Sequence, residues 1–340
     1  MSPDKPHIID VTVGKGGPLV HNRILQEQVA DIALGLQEAG VEYMEVSHGR
    51  GIGAKRAGYP ALYSDLELLD AAKRAAPRLK LSAQLSPHAY SLFEVERVAE
   101  YCELLRFSVD FDDLQRALEH VEAIRKCGRK VAALLERCHR LTPEACLEAS
   151  RRLRDSGVDL LYVCDNFSSM SEGDVRRYLE TLRDVGLPMG FQGGNATGRG
   201  VANCLAAHEV GADWLDGSLL GLGECGGVTP LEQLVAAIQT LGKLQNIQLR
   251  GLCQTAQWHA LAALRRLPRA RHLDLLLSKL KLDYYPAELL ERIAAILETD
   301  LESFLQEVSS GRDGLVRLKE ADLRAYLEKH RIDLDVVLHF

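Results

Sequence analysis

Eight short apolar runs, each followed by a polar or glycine-rich step and then mostly by a longer amphipathic stretch, constrain this chain more than any other feature. The runs are His7–Val13, Tyr43–His48, Lys80–Ser86, Leu104–Asp110, Lys130–Glu136, Leu160–Asn166, Pro188–Gln192 and Trp214–Leu219. Runs of this length, apolar on both faces, suit parallel strands covered on two sides, and the stretches between them suit crossover helices. The helical stretches are Leu25–Ala39, Asp65–Ala75, Leu114–Lys126, Pro143–Asp155, Glu172–Val185 and Ala202–Val210. Ser64, Thr142 and Ser171 stand where N-caps belong, before acidic first turns, and Gly40, Gly157, Gly186 and Gly211 stand where helices close. Eight β-then-α units predict a closed (β/α)8 TIM barrel. A doubly wound open sheet is the alternative, because strand number alone does not impose closure.

The pattern changes after about residue 245. From Gln257 to Leu338 the chain reads as helix, divided by Pro268 and Pro286, with a loop at Ser309-Ser310-Gly311. This predicts a barrel over residues 5–245 and a helical C-terminal domain over 246–340. The 340 residues suffice for both. With 41 basic and 48 acidic residues the formal charge is −7, and no basic block offers a nucleic-acid surface. No apolar run approaches the ~20 residues of a membrane span, and the N-terminus lacks the layout of a signal peptide. The eight cysteines form no CxxC pair, which points to free thiols in a reducing cytoplasm rather than a disulfide framework or zinc site. Leu273, Leu275, Leu276, Leu277 and Leu280 exceed what one exposed helix carries, so a homo-oligomer formed through the C-terminal domain is expected.

In a barrel of this kind chemistry sits where strands end. Those positions hold Gly14-Lys15-Gly16-Gly17, Glu45 to His48, Gln84 to His88, Arg106 to Asp110, Arg137 to His139, Asp165-Asn166, Gln192 to Asn195 and Gly221 to Gly227. Several of these segments carry a resemblance. IIDVTVGKGG is similar to D-x-T-L-R-D-G, YMEVSHGRG to E-V-x-H-G, and CDNFSSMS to A-D-S-x-G-x-M-S. GRGVANCLAAHEVGADWLDGSLLGLGE and TPLEQL follow in register. The chain resembles the DRE-TIM metal-dependent lyases, closest to 4-hydroxy-2-oxovalerate aldolase, with hydroxymethylglutaryl-CoA lyase and isopropylmalate synthase beside it.

The departures from that pattern fall on its chemistry. The resemblance implies an arginine at position 14, a metal-binding aspartate at 15, an acid/base histidine at 18 and a metal-binding His-x-His pair at 192 and 194. The chain has Gly14, Lys15, Pro18, Gln192 and Gly194 there. No metal and no other cofactor is therefore expected. Lys15 has three readings: a fixed cation replacing the metal, a Schiff-base former with a ketone substrate, or an ion-pair partner of Glu45 or Asp165. The predicted catalytic set is Lys15, His48, His139 and Asp165, with His48 or His139 as base. The predicted substrate-binding set is Glu45, Arg106, Gln192, Asn195, Gly223 and Cys225. Structural readings stand beside these. Asp165 can cap its loop, Glu45 and Arg106 can pair internally, His139 can bond a backbone carbonyl, and the glycine loop can be a tight turn. The expected function is formation or cleavage of a C–C bond in a small carbonyl or carboxylate substrate such as a 2-oxo acid. Isomerisation or elimination through the same enolate, and a non-catalytic binding or scaffold barrel, are the alternatives.

Overall fold

The computed structural model of the chain describes residues 5–49, 51–85, 91–138, 141–265, 267, 269–283, 288–310 and 316–339. Eight parallel strands close into a barrel in sequence order. They are β1 His7–Asp10, β2 Tyr43–Glu45, β3 Lys80–Leu85, β4 Cys102–Ser108, β5 Lys130–Glu136, β6 Leu160–Asp165, β7 Met189–Gly193 and β8 Trp214–Gly217. Closure is set by β1, whose His7 to Asp10 register against Trp214 to Gly217 of β8. The helices between and after them are α1 Gln26–Ala39, α2 Asp65–Ala75, α3 Leu92–Ala99, α4 Leu114–Lys126, α5 Pro143–Ser156, α6 Glu172–Leu182, α7 Gly200–Glu209 and α8 Leu231–Thr240. The open-sheet alternative is excluded.

Local chemistry explains several boundaries. Ser64 Oγ accepts from Glu67 N while the Glu67 carboxylate accepts from Ser64 N at 2.7 Å, and Ser171 with Asp174 repeats the arrangement on α6. Gly157 ends α5 at φ 103°, a conformation that side-chain-bearing residues avoid. The first two strands stop earlier than the sequence suggests. After Asp10 the chain turns helical over Thr12–Gly16, so Lys15 lies on that turn rather than at the strand end.

Two apolar cores sit on either side of the barrel wall. The larger fills the space between strands and helices, and the smaller fills the barrel with Ile9, Val11, Leu104, Leu134, Leu160 and Tyr162 among others. Above that interior filling lies a charged layer drawn from the even-numbered strands: Glu45, Arg106, Tyr162 and Asp216, each at most 1% exposed. The Arg106 guanidinium lies 3.0 Å from Glu45 Oε2 and 2.5 Å from Asp216 Oδ2, and 4.5 Å over the Tyr162 ring. Trp214, stacked on His7 at 4.2 Å, closes the opposite end.

The C-terminal region is divided differently from its sequence reading. Residues 249–264 pack on α1, and Leu252, Ala256, Ala260 and Leu264 belong to the barrel's own core. A second core begins at Leu273, gathering α9 His272–Lys279, α10 Glu288–Ile296, α11 Leu301–Ser309, α12 Glu320–Lys329 and α13 Leu334–His339. It also contains a short parallel pair, β9 Leu282–Asp283 with β10 Val316–Arg317, which the helical reading does not include. Leu273, Leu276 and Leu277 are buried in this second core, Leu280 is partly buried against it, and Leu275 is exposed. The apolar surplus that suggests self-association is thus largely spent inside the chain. Among the described residues no helix is long and apolar enough to cross a membrane.

Arg106→Met is expected to cost about 3–5 kcal/mol in urea unfolding, because it leaves two buried carboxylates without a counter-charge. A loss below about 1 kcal/mol would show that the layer does not hold the barrel together.

Candidate active site

The C-terminal ends of the strands open into a cavity of about 430 Å³. On the β1 side the cavity is lined by Gly14, Lys15 and Pro18, and behind them Asp10 is fully buried and accepts hydrogen bonds from Thr12 N at 3.1 Å and Thr12 Oγ1 at 2.5 Å. Thr12 Oγ1 in turn accepts from Leu219 N at 2.8 Å, tying the turn to the loop after β8. Burial raises the Asp10 pKa to about 7 despite these bonds. The turn presents Lys15 to the cavity, and among the described residues no carboxylate lies within 4 Å of its ammonium. Glu45, one candidate partner, is committed to Arg106. Its carboxyl is raised by burial, an effect opposed by Arg106 and, less strongly, by Lys15. Gly14 is glycine for a steric reason: a Cβ there would come within 2.8 Å of Glu45 Oε1.

The remaining sequence candidates fall into three groups. Lys15, Asp165, Gln192 and Cys225 line the cavity. Asp165 is also the cap of its own loop, accepting from Ser169 N at 2.9 Å and Met170 N at 3.1 Å, and burial lifts its pKa to about 6. Gln192 donates from Nε2 to Asp216 Oδ2 at 2.6 Å. Cys225 holds a φ of 52°, in the left-handed region, within the glycine loop. A second group lies behind the cavity wall. Glu45 and Arg106 form the charged layer, and Asn195 Oδ1 accepts from Gly200 N at the start of α7. Gly223 packs against Gly227, and the His48 ring bonds the Pro60 carbonyl at 2.9 Å through Nε2. His139 lies outside the described residues.

Other groups at the cavity are absent from the predicted catalytic and binding sets, although two of them, Gln84 and Ser108, fall within the strand-end segments. Gln84 Nε2 donates to Ser108 Oγ at 2.8 Å, and Ser108 Oγ donates to Glu136 Oε1 at 2.9 Å, a ladder running from β3 across β4 to β5. All three line the cavity. The available signal is positional: each lies at or next to the last residue of its strand, on the inward-facing parity shared with Arg106. His120, in the middle of α4, gives no such signal, yet it lines the cavity and packs its ring 5.6 Å from Phe107. Arg137, at φ 58°, pairs with Asp283 of the C-terminal domain, and Ser278 Oγ donates to Ser168 O at 2.7 Å. The smaller domain therefore braces the loops after β5 and β6.

Comparison with known proteins places this architecture. The HMGL-like family model matches residues 5–258. The chain belongs to the HMGL-like family. It is 34% identical over 254 residues to an oxaloacetate decarboxylase of Mycobacterium tuberculosis, covering 74% of this chain and 76% of that protein. It is 33% identical over 245 residues to a 4-hydroxy-2-oxovalerate aldolase of Moorella thermoacetica, covering 71% and 72%. The Bacillus subtilis HMG-CoA lyase structure superposes with a TM-score of 0.64 at 18% identity, over 81% of this chain and 98% of that one, a likeness of fold.

A divalent metal implied by the DRE-TIM pattern does not fit the residues present. Lys15 brings a positive charge to one ligand position. Gln192 spends its amide on Asp216. Gly194 lacks a side chain and has no room for one, since a Cβ would stand 2.5 Å from Asp165 O and from Ser168 Oγ. Among the described residues no group of three or more His, Cys, Asp or Glu side chains is arranged to hold a metal ion.

Asp10 and Asp165 both have folded-state pKa values above the ordinary carboxylate value, so from these groups the folded chain binds more protons than the unfolded one. Their contribution is fully present at low pH and is lost as pH rises from about 4 towards the values near 6 and 7. Thermal unfolding is expected to show a midpoint that falls across that window, and Asp10→Asn should flatten the fall. An unchanged slope in that variant would locate the pH dependence elsewhere.

Proposed function

We propose that this chain is a lyase-type enzyme that cleaves or forms a carbon–carbon bond in a small 2-oxo acid, with Lys15 as the fixed cation in place of a divalent metal. One observation carries the reading. Of the basic side chains that line the cavity, Arg137 is paired with Asp283, and Arg116 and His120 are also engaged, whereas Lys15 has no ion-pair partner among the described residues. An uncommitted ammonium at the mouth of a barrel is suited to a carboxylate and to the oxygen of a developing enolate. The names of the two curated relatives, a decarboxylase and an aldolase, support the same bond type, since both reactions break the C3–C4 bond of a 2-oxo acid and leave an enolate.

The chain's residues divide the work accordingly. The Asp10–Thr12 turn orients Lys15, and the Glu45–Arg106–Asp216 layer beneath it supplies a negative floor that keeps the ammonium in place. The raised carboxyl of Asp165 fixes the loop that fills the space beside Gly194. Self-association is proposed to use the exposed apolar residues of the C-terminal region, among them Trp258 at 62% and Leu267 at 65% exposure.

Lys15→Ala is expected to lower kcat/KM for oxaloacetate or a 4-hydroxy-2-oxo acid by about 10²–10³-fold, the usual loss when a group stabilising developing charge is removed. Lys15→Arg should retain part of the activity, and exhaustive chelation should leave it intact. Trapping of a covalent adduct on Lys15 by borohydride with substrate would instead assign it the Schiff-base role. Full activity in Lys15→Ala, or activity abolished by chelator, would refute the fixed-cation reading. Light scattering at micromolar concentration should report a mass above the 37.6 kDa of one chain.

A further inference from the structure

The strand order fixes where Glu136 stands relative to Lys15. In a closed ring of eight strands β5 lies opposite β1, so the last residue of β5 and the turn after β1 face each other across the mouth. Both line the same cavity, and no ion pair joins them. The space between an ammonium and a carboxylate on opposite walls is therefore open to a ligand that touches both.

The hydrogen bonds that hold Glu136 have a direction. Gln84 donates an N–H to Ser108 Oγ at 2.8 Å. The hydroxyl, having accepted there, donates its one proton to Glu136 Oε1 at 2.9 Å. The ladder thus presents a donor to one carboxylate oxygen and holds the side chain in one rotamer. The other oxygen, Oε2, accepts from no described residue, and Glu136 is half-buried at the cavity wall. A carboxylate so held suits a base. His48, in contrast, lies behind the wall, with its Nε2 bonded to the Pro60 carbonyl.

We propose that Glu136 is the proton-transfer group of this site, with Ser108 and Gln84 as its positioning residues, and that the substrate carries a hydroxyl on the carbon to be released. The proposal rests on the reading of Lys15 as the cation that holds the 2-oxo acid. With the carboxylate and keto oxygen at Lys15, a hydroxyl on C4 points to the β5 wall. Glu136 Oε2 takes the hydroxyl proton and the C3–C4 bond breaks. Its electron pair moves into the C2–C3 bond, leaving an aldehyde and an enolate whose oxygen faces Lys15. The proton on Glu136 then returns to C3, giving the 2-oxo acid and restoring the carboxylate. Decarboxylation of a 2-oxo diacid at the same cation makes a different demand. The departing carboxylate leaves as carbon dioxide with no proton to remove, and water can protonate the enolate.

That difference supplies the test, made on the full chain with 4-hydroxy-2-oxovalerate and oxaloacetate in parallel. Glu136→Gln, shown to be folded by circular dichroism, is expected to lower kcat/KM for the hydroxy acid by about 10²–10⁴-fold while oxaloacetate decarboxylation stays within about threefold. Ser108→Ala, which removes the bond that holds the carboxylate in place, should lower kcat for the hydroxy acid by about tenfold or more while its KM and oxaloacetate decarboxylation change little. If Glu136→Gln spares a hydroxy-acid cleavage that Lys15→Ala abolishes, the role of Glu136 falls and that of Lys15 stands. Equal losses on both substrates would show Glu136 acting on the shared enolate rather than on the hydroxyl, which also overturns the proposal. An unchanged kcat in Ser108→Ala removes the positioning role even if Glu136→Gln does not fold. If the unaltered chain turns over neither compound, the proposal and the lyase reading fail together.

Discussion

The Arg106 guanidinium is the interaction on which the rest of this molecule depends. It reaches Glu45 on one side and Asp216 on the other, joining β2, β4 and β8 across the barrel interior. A buried ion pair of this kind adds little net stability by itself, because desolvation offsets most of the attraction. Its consequence is alignment: any slip of one strand would strand a charge in an apolar interior, so the layer restricts the barrel to one register. Two carboxylates against one guanidinium also leave the layer negatively biased. The Glu45 pKa is held up by burial, and the Lys15 ammonium above it is one of the influences opposing that rise.

This arrangement shapes what lies above. The cavity floor is Gly14, which cannot be larger because Glu45 Oε1 occupies the space a side chain would need. Gly194 is closed in the same manner by Asp165 O and Ser168 Oγ. Where relatives are expected to place an arginine and a metal ligand, this chain has packed its own backbone and carboxylates, so the positions are filled rather than vacant. The charge on offer to a ligand is then the ammonium of Lys15, faced by the Gln84–Ser108–Glu136 ladder from the opposite wall.

The C-terminal region enters this picture at the rim. Ser278 donates to the backbone of Ser168, and Asp283 pairs with Arg137, whose backbone is left-handed beside Glu136. Ser168 Oγ also accepts from Ala196 N at 2.8 Å, so one residue links the loops after β6 and β7 to the smaller domain. Rigidity at the mouth therefore comes from contacts distant in sequence, which suits a site whose reacting groups stand on opposite walls.

The sequence by itself determined the eight β-then-α units, because continuous apolar runs and capped amphipathic stretches are local properties that read directly from residue order, whereas closure of the sheet was decided by the β1–β8 pairing. It also marked Lys15, Gln192 and Gly194 as departures from a metal-binding pattern, since chemical identity at a strand end needs no coordinates. Only the tertiary structure decided which polar residues face the cavity. Arg106 and Gln84 both stand near the ends of inward-facing strands and look alike in sequence. Arg106 lies one layer deeper and is consumed by Glu45 and Asp216, whereas Gln84 reaches the mouth and orients Ser108. The split at the tail had the same origin: residues 249–264 and the helices from His272 onward are both leucine-rich, and the surface each one buries depends on packing. Side-chain depth and partner choice follow from strand tilt, register and closure, which arise from contacts across the whole barrel rather than from any single segment.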